Sequence, residues 1–73
     1  MVTDTRLALA RKRLERHPDW VTYLTESWFV VIEEDCWGKK WFCLRNHPGN
    51  STTSFTMLYT WAEVVKTVRQ LEL

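Results

Sequence analysis

Residues 27–44, S-W-F-V-V-I-E-E-D-C-W-G-K-K-W-F-C-L, constrain this chain more than any other stretch. Two short apolar runs, residues 28–32 and 41–44, flank a polar segment that holds Gly38. Their β-branched and aromatic residues favour strand over helix. Glycine supplies the positive φ that a hairpin loop needs. Cross-strand charge pairing favours an alignment with Glu34 facing Lys39 and Glu33 facing Lys40. Ile32 then faces Trp41, Val31 faces Phe42, Val30 faces Cys43 and Phe29 faces Leu44. By alternation, Phe29, Val31, Phe42 and Leu44 share one side; Trp28, Val30, Ile32, Trp41 and Cys43 share the other. Both sides are apolar, whereas a hairpin with one face in water alternates apolar and polar residues. Both faces therefore need cover, and that points to binding.

The flanks read as helix before and as strand and helix after. Thr3 or Asp4 can cap a helix over residues 5–16, which holds good helix formers and no Gly or Pro. Leu7, Ala10 and Leu14 form its apolar stripe, with arginines opposite. His17-Pro18 ends it, because a residue before proline is pushed out of the α region. Pro18 can open a second short helical piece over residues 19–26, burying Trp20, Val21, Tyr23 and Leu24. After the hairpin, Asn46-His47-Pro48-Gly49-Asn50-Ser51 is the most turn-like segment.

Residues 54–59 alternate as a third strand, with Phe55, Met57 and Tyr59 on one side and Leu58 the exception. Antiparallel pairing with Phe55 opposite Leu44 joins its aromatic side to Phe29, Val31 and Phe42, the expected core. Thr60-Trp61-Ala62-Glu63 is a capping box. The helix it opens carries Trp61, Val64, Val65, Val68 and Leu71 at i, i+3, i+4 and i+7 spacing. The expected fold class is a single α+β domain over residues 1–73, α(α)-β-β-β-α. It has a three-stranded antiparallel meander and the C-terminal helix on one face.

With 73 residues, such a core supplies only roughly 3–5 kcal/mol without staples or oligomerisation. Five tryptophans, each able to bury roughly 150–250 Å², can make up the shortfall within the chain or between chains. A net charge of +1 gives no global attraction to nucleic acid or membrane. The distribution is uneven, since Arg6, Arg11, Lys12, Arg13 and Arg16 outnumber Asp4 and Glu15 at the N-terminal end. Two cysteines make no disulfide framework, and Cys36 and Cys43 read as reduced thiols. With neither a leader pattern nor a long apolar run, we expect a cytoplasmic protein that makes no membrane contact.

Catalytic signatures are absent from this sequence. Cys43 and His47 are the one Cys/His pair close in sequence, but Cys43 lies on a strand and no third group orients the pair. There is no Gly-rich phosphate loop, HExxH or GxSxG motif, and no CxxC or HxxxH knuckle to start a zinc site. We expect no enzyme, no cofactor, no metal and no small-molecule substrate.

The order α-β-β-β-α is similar to that of the double-stranded-RNA-binding domain. That family presents lysines at the start of its last helix, where this chain has Thr60-Trp61-Ala62-Glu63, so the likeness is one of topology. Nucleic-acid binding would use Arg6, Arg11, Lys12, Arg13 and Arg16 on the first helix, with Lys39 and Lys40 beside aromatic side chains that can stack on bases. Glu33-Glu34-Asp35 would repel phosphate.

Protein binding fits the composition better, because interface cores are rich in Trp, Tyr, Phe, Met and Arg. We expect a small regulatory, inhibitor or adaptor module that binds a partner protein or forms a homodimer. Trp28, Val30, Ile32, Trp37, Trp41 and Arg45 would make the contact. The same properties are common among phage or mobile-element proteins that block host machinery, an analogy of style.

Overall fold

The computed structural model describes residues 1–46 and 54–73. The elements run α1 (Asp4–Arg16), β1 (Thr22–Tyr23), β2 (Trp28–Glu34), β3 (Lys40–Asn46), β4 (Ser54–Leu58) and α2 (Trp61–Gln70). The sheet is an antiparallel meander in the order β1-β2-β3-β4, with both helices on one face. The architecture is α+β in two layers. The loop expected over residues 46–51 begins inside β3 at Asn46, and its remainder lies outside the described residues.

Each helix starts where its capping chemistry puts it. The Thr3 hydroxyl accepts the Arg6 amide at 3.1 Å, which satisfies one of the free donors of the first turn. At the far end His17 leaves the helical region, with φ −135° and ψ 75°, as the following proline requires. Leu7, Ala10 and Leu14 are buried and face the sheet. For α2, the Thr60 hydroxyl accepts the Glu63 amide at 3.2 Å. The Glu63 carboxylate accepts a hydrogen bond from the Thr60 hydroxyl at 3.3 Å. Val64 and Val68 have no exposed surface.

The segment expected to form a second helix is instead a turn and an edge strand. Val21, Thr22 and Tyr23 are strand formers, and Thr22 and Tyr23 pair with Val30 and Phe29. The Thr25 hydroxyl accepts the amides of Ser27 and Trp28 at 3.2 and 3.0 Å, which closes the tight connection into β2. Trp20, Val21 and Tyr23, expected to be buried, are 43, 46 and 40% exposed, and Leu24 alone of that group is core. Among the described residues the meander therefore has four strands and not three.

The β2–β3 register also departs from the charge-paired alignment, by one residue. Glu34 lies opposite Lys40, Ile32 opposite Phe42, Val31 opposite Cys43, Val30 opposite Leu44 and Phe29 opposite Arg45. The turn explains the shift. Asp35 donates its amide to the Lys39 carbonyl at 2.9 Å, leaving a three-residue loop of Cys36, Trp37 and Gly38. Gly38 takes φ +84°, the left-handed residue that such loops use. The Asp35 carboxylate locks this geometry by accepting the amides of Trp37 and Lys39, each at 2.9 Å. Surface charge pairs contribute roughly 1 kcal/mol or less, too little to outweigh the hydrogen bonds that close this turn.

A one-residue slip exchanges faces. Trp28, Val30, Ile32, Phe42 and Leu44 line the core with Leu14, Val64 and Val68, while Phe29 and Val31 point away from it. Strand β4 pairs as expected at Leu44–Phe55, then bulges, so that Leu58 falls opposite Phe42. Met57 is the residue displaced there, at φ +59°. The bulge brings both Phe55 and Leu58 against the core, which accounts for the break in alternation at Leu58.

The chain ends meet on the helical layer. Val2 donates its amide to the Leu73 carbonyl at 2.8 Å. Arg69 donates to the Val2 carbonyl at 2.6 Å and forms an ion pair with Asp4. Among the described residues, no helix is long and apolar enough to cross a membrane.

Candidate interaction face

With both helices on one side, the other side of the sheet has no element over it among the described residues. Alternation along β1, β2 and β3 presents Tyr23, Phe29, Val31, Glu33, Trp41, Cys43 and Arg45 there. Aromatic pairs mark its two ends. Tyr23 and Phe29 pack with ring centroids 5.2 Å apart at the β1 side. Toward the hairpin tip, Trp41 meets Tyr59 edge-on at 6.5 Å, and the Lys39 ammonium lies 4.8 Å from the Tyr59 ring centre.

An ion pair between Arg45 and Glu33 runs between these ends. The register sets the Val31–Cys43 pair between the two residues, so the ion pair spans it. This arrangement accounts for an outward-pointing Cys43 with no exposed surface. The Cys43 sulfur lies 3.2 Å from the Thr56 hydroxyl. Two donors on this face, the Trp41 indole Nε1 and the Arg45 Nε, are buried and make no hydrogen bond among the described residues. Such groups cost stability wherever a partner is missing.

The residues expected to bind a protein partner are split by the slip. Trp41 and Arg45 lie on the open face, and Trp37 stands 87% exposed at the hairpin tip. Trp28, Val30 and Ile32 do not belong to it: they pack in the core, Val30 with no exposed surface. Tyr23, Phe29, Val31, Glu33 and Tyr59 take their place. The Asp35-Cys36-Trp37-Gly38-Lys39 run carried the signal for this exchange, because its turn sets which residues share a side.

The basic residues are not gathered into one surface. Arg6 and Arg13 lie on the side of α1 that faces β1, whereas Arg11 pairs with Glu15 at 3.0 Å on the side toward Trp61. Lys12 and Arg16 are exposed on α1, while Lys39 and Lys40 belong to the hairpin. Trp20 folds back on the helix end. It stacks on His17 with centroids 3.6 Å apart and planes at 8°, and the Arg13 guanidinium is 5.1 Å from its ring centre.

Both cysteines are free thiols, Cys36 exposed and Cys43 buried. Among the described residues, no three His, Cys, Asp or Glu side chains come together as metal ligands would. The Cys43/His47 pair reaches outside the described residues. Comparison with protein-family models, curated proteins and solved structures returned no match.

Proposed function

We propose that this protein is a non-enzymatic interaction module that binds a partner protein through the open face of its sheet. The observation that carries the reading is the composition of that face: Trp, Tyr, Phe and Arg side chains around one neutralised ion pair. Trp, Tyr and Arg supply most interface hot spots, and rigid rings bring large contact area at low entropy cost. A regulatory, inhibitory or adaptor role follows from binding without chemistry.

The test is the double substitution Trp41→Ser/Tyr59→Ser, which removes aromatic surface while leaving Val30, Leu44 and Val64 in place. A folded variant by circular dichroism that no longer retains the proteins captured by the wild type supports the reading. A folded variant that captures them unchanged removes it. Light scattering separates the occupants, because only self-association through this face gives twice the monomer mass, and that mass should halve in the variant.

A second reading is nucleic-acid binding through α1, favoured by the Arg13–Trp20–His17 stack beside Arg16. A mobility-shift titration at two salt concentrations tests it, since phosphate contacts make affinity fall steeply with salt. Absence of a shift at low salt removes it.

A further inference from the structure

The open face leaves another feature unused, a groove between α1 and the edge strand β1. Its volume is about 460 Å³, within the range of roughly 300–1,000 Å³ typical of small-molecule sites. Arg6 and Arg13 flank it from α1, two turns apart, which places their Cα atoms about 10 Å apart along the axis. Leu9 and Val21, 58 and 46% exposed, supply apolar walls. Thr22 also lines the groove; it is 5% exposed, and its hydroxyl is buried with no hydrogen-bond partner among the described residues.

We propose that this groove binds an oxyanion, carboxylate or phosphate, carried on a small apolar body. Three observations converge on that chemistry. Neither Arg6 nor Arg13 forms an ion pair among the described residues. Each is instead parked on a weaker partner: Arg6 donates to the Tyr23 carbonyl at 3.2 Å, and Arg13 lies against Trp20. Guanidinium groups recognise carboxylate and phosphate through paired, charge-assisted hydrogen bonds, stronger than either present contact. The Thr22 hydroxyl is a buried polar group without a partner, and such a group is destabilising until something completes it.

The alternatives fit less well. A cation would meet two guanidiniums, and a neutral apolar molecule would leave the hydroxyl without a partner and both arginines on their present weaker contacts. An oxyanion uses all three, while Leu9 and Val21 take the apolar portion. The absence of a small-molecule ligand expected from the sequence took no account of this groove, which the unanticipated strand β1 creates.

The experiment is a ¹⁵N NMR titration of the full chain with phenyl phosphate, phenylacetate and inorganic phosphate. Saturable shifts of the Thr22 amide and the Trp20 indole are expected with at least one aromatic probe, at least tenfold tighter than with inorganic phosphate. Tighter phenyl phosphate assigns a phosphate ligand and tighter phenylacetate a carboxylate; both support the site. Arg6→Gln/Arg13→Gln should weaken binding at least tenfold, and Lys12→Gln should leave it unchanged. Thr22→Val, which keeps the side-chain shape, should fold and bind more weakly, so it decides the matter if the double variant is unstable. The proposal is overturned by the absence of saturable shifts. Equal weakening by Lys12→Gln overturns it too, since general charge attraction would then explain binding, as does wild-type affinity in Thr22→Val.

Discussion

Arg45 reaches Glu33 along the open face of the sheet, across the Val31–Cys43 pair, and turns two opposite charges into one neutral bar within an aromatic surface. The contact lies in the middle of the face, where a partner would remove water from it. Free of a partner it is solvated and weak; covered, it becomes a desolvated pair whose loss strands a charge.

Arg45→Ala should therefore separate stability from binding. The two side chains are 42 and 39% exposed, so screening holds the pair to roughly 1 kcal/mol or less in the free protein. Partner affinity should fall by more than tenfold, as expected of an interface arginine. Urea unfolding beside a binding titration checks this. A loss of about 3 kcal/mol in unfolding with affinity unchanged would make the pair a structural element instead.

Leu44→Ala tests which face of β3 is core. Leu44 has no exposed surface, and truncating a buried leucine costs roughly 2–5 kcal/mol. That approaches the whole stability of so small a domain, so the variant should be largely unfolded by circular dichroism at 25 °C. Trp37→Ala, at a residue 87% exposed, should shift stability by about 0.5 kcal/mol or less. Reversed outcomes would mean that the wrong face had been assigned to the core.

Two residues in left-handed backbone give a paired test with opposite signs. Gly38→Ala should destabilise by about 1 kcal/mol from its φ of +84° alone, because the nearest atom to an added Cβ is 3.5 Å away. Met57→Gly should stabilise by a similar amount, about 1 kcal/mol, by relieving a non-glycine at φ +59° whose side chain is 54% exposed. Thermal melts of both variants decide it; a destabilised Met57→Gly would show that its side chain packs more than its exposure suggests.

Local chemistry made both helices legible in the sequence. Thr3 and Thr60 cap where their hydroxyls permit, and Leu7, Ala10, Leu14, Val64 and Val68 are buried at the spacing that periodicity requires. The Leu44–Phe55 pairing was legible for the same reason. Residues 19–26 misled because an apolar segment of that length suits a buried helix or a pleated edge, and only the neighbouring strand decides between them. The register misled because both faces of the hairpin are apolar, so hydrophobic pattern could not choose between adjacent alignments. Cross-strand charge was the remaining visible cue, and the hydrogen bonds of Asp35 outweigh it. Half of the candidate face moved with that one residue. The groove was illegible altogether, because it joins α1 to a strand that exists only through its pairing with β2.

The amide of Val2 on the carbonyl of Leu73 holds residues 2 and 73 within hydrogen-bond distance, so a short linker can join the two ends of this 73-residue segment. Bringing two ends together across a chain of this length costs an unfolded polymer about 4 kcal/mol in closure entropy, comparable to the net stability of a small domain. A head-to-tail ligated form, joined by a short Gly/Ser linker, would meet that cost before folding begins. Its melting temperature should rise well above that of the linear chain, and differential scanning calorimetry reads the difference. An unchanged transition would mean that the ends separate before the sheet does. In that case the cooperative unit would run from α1 to α2 without the clasp that joins them.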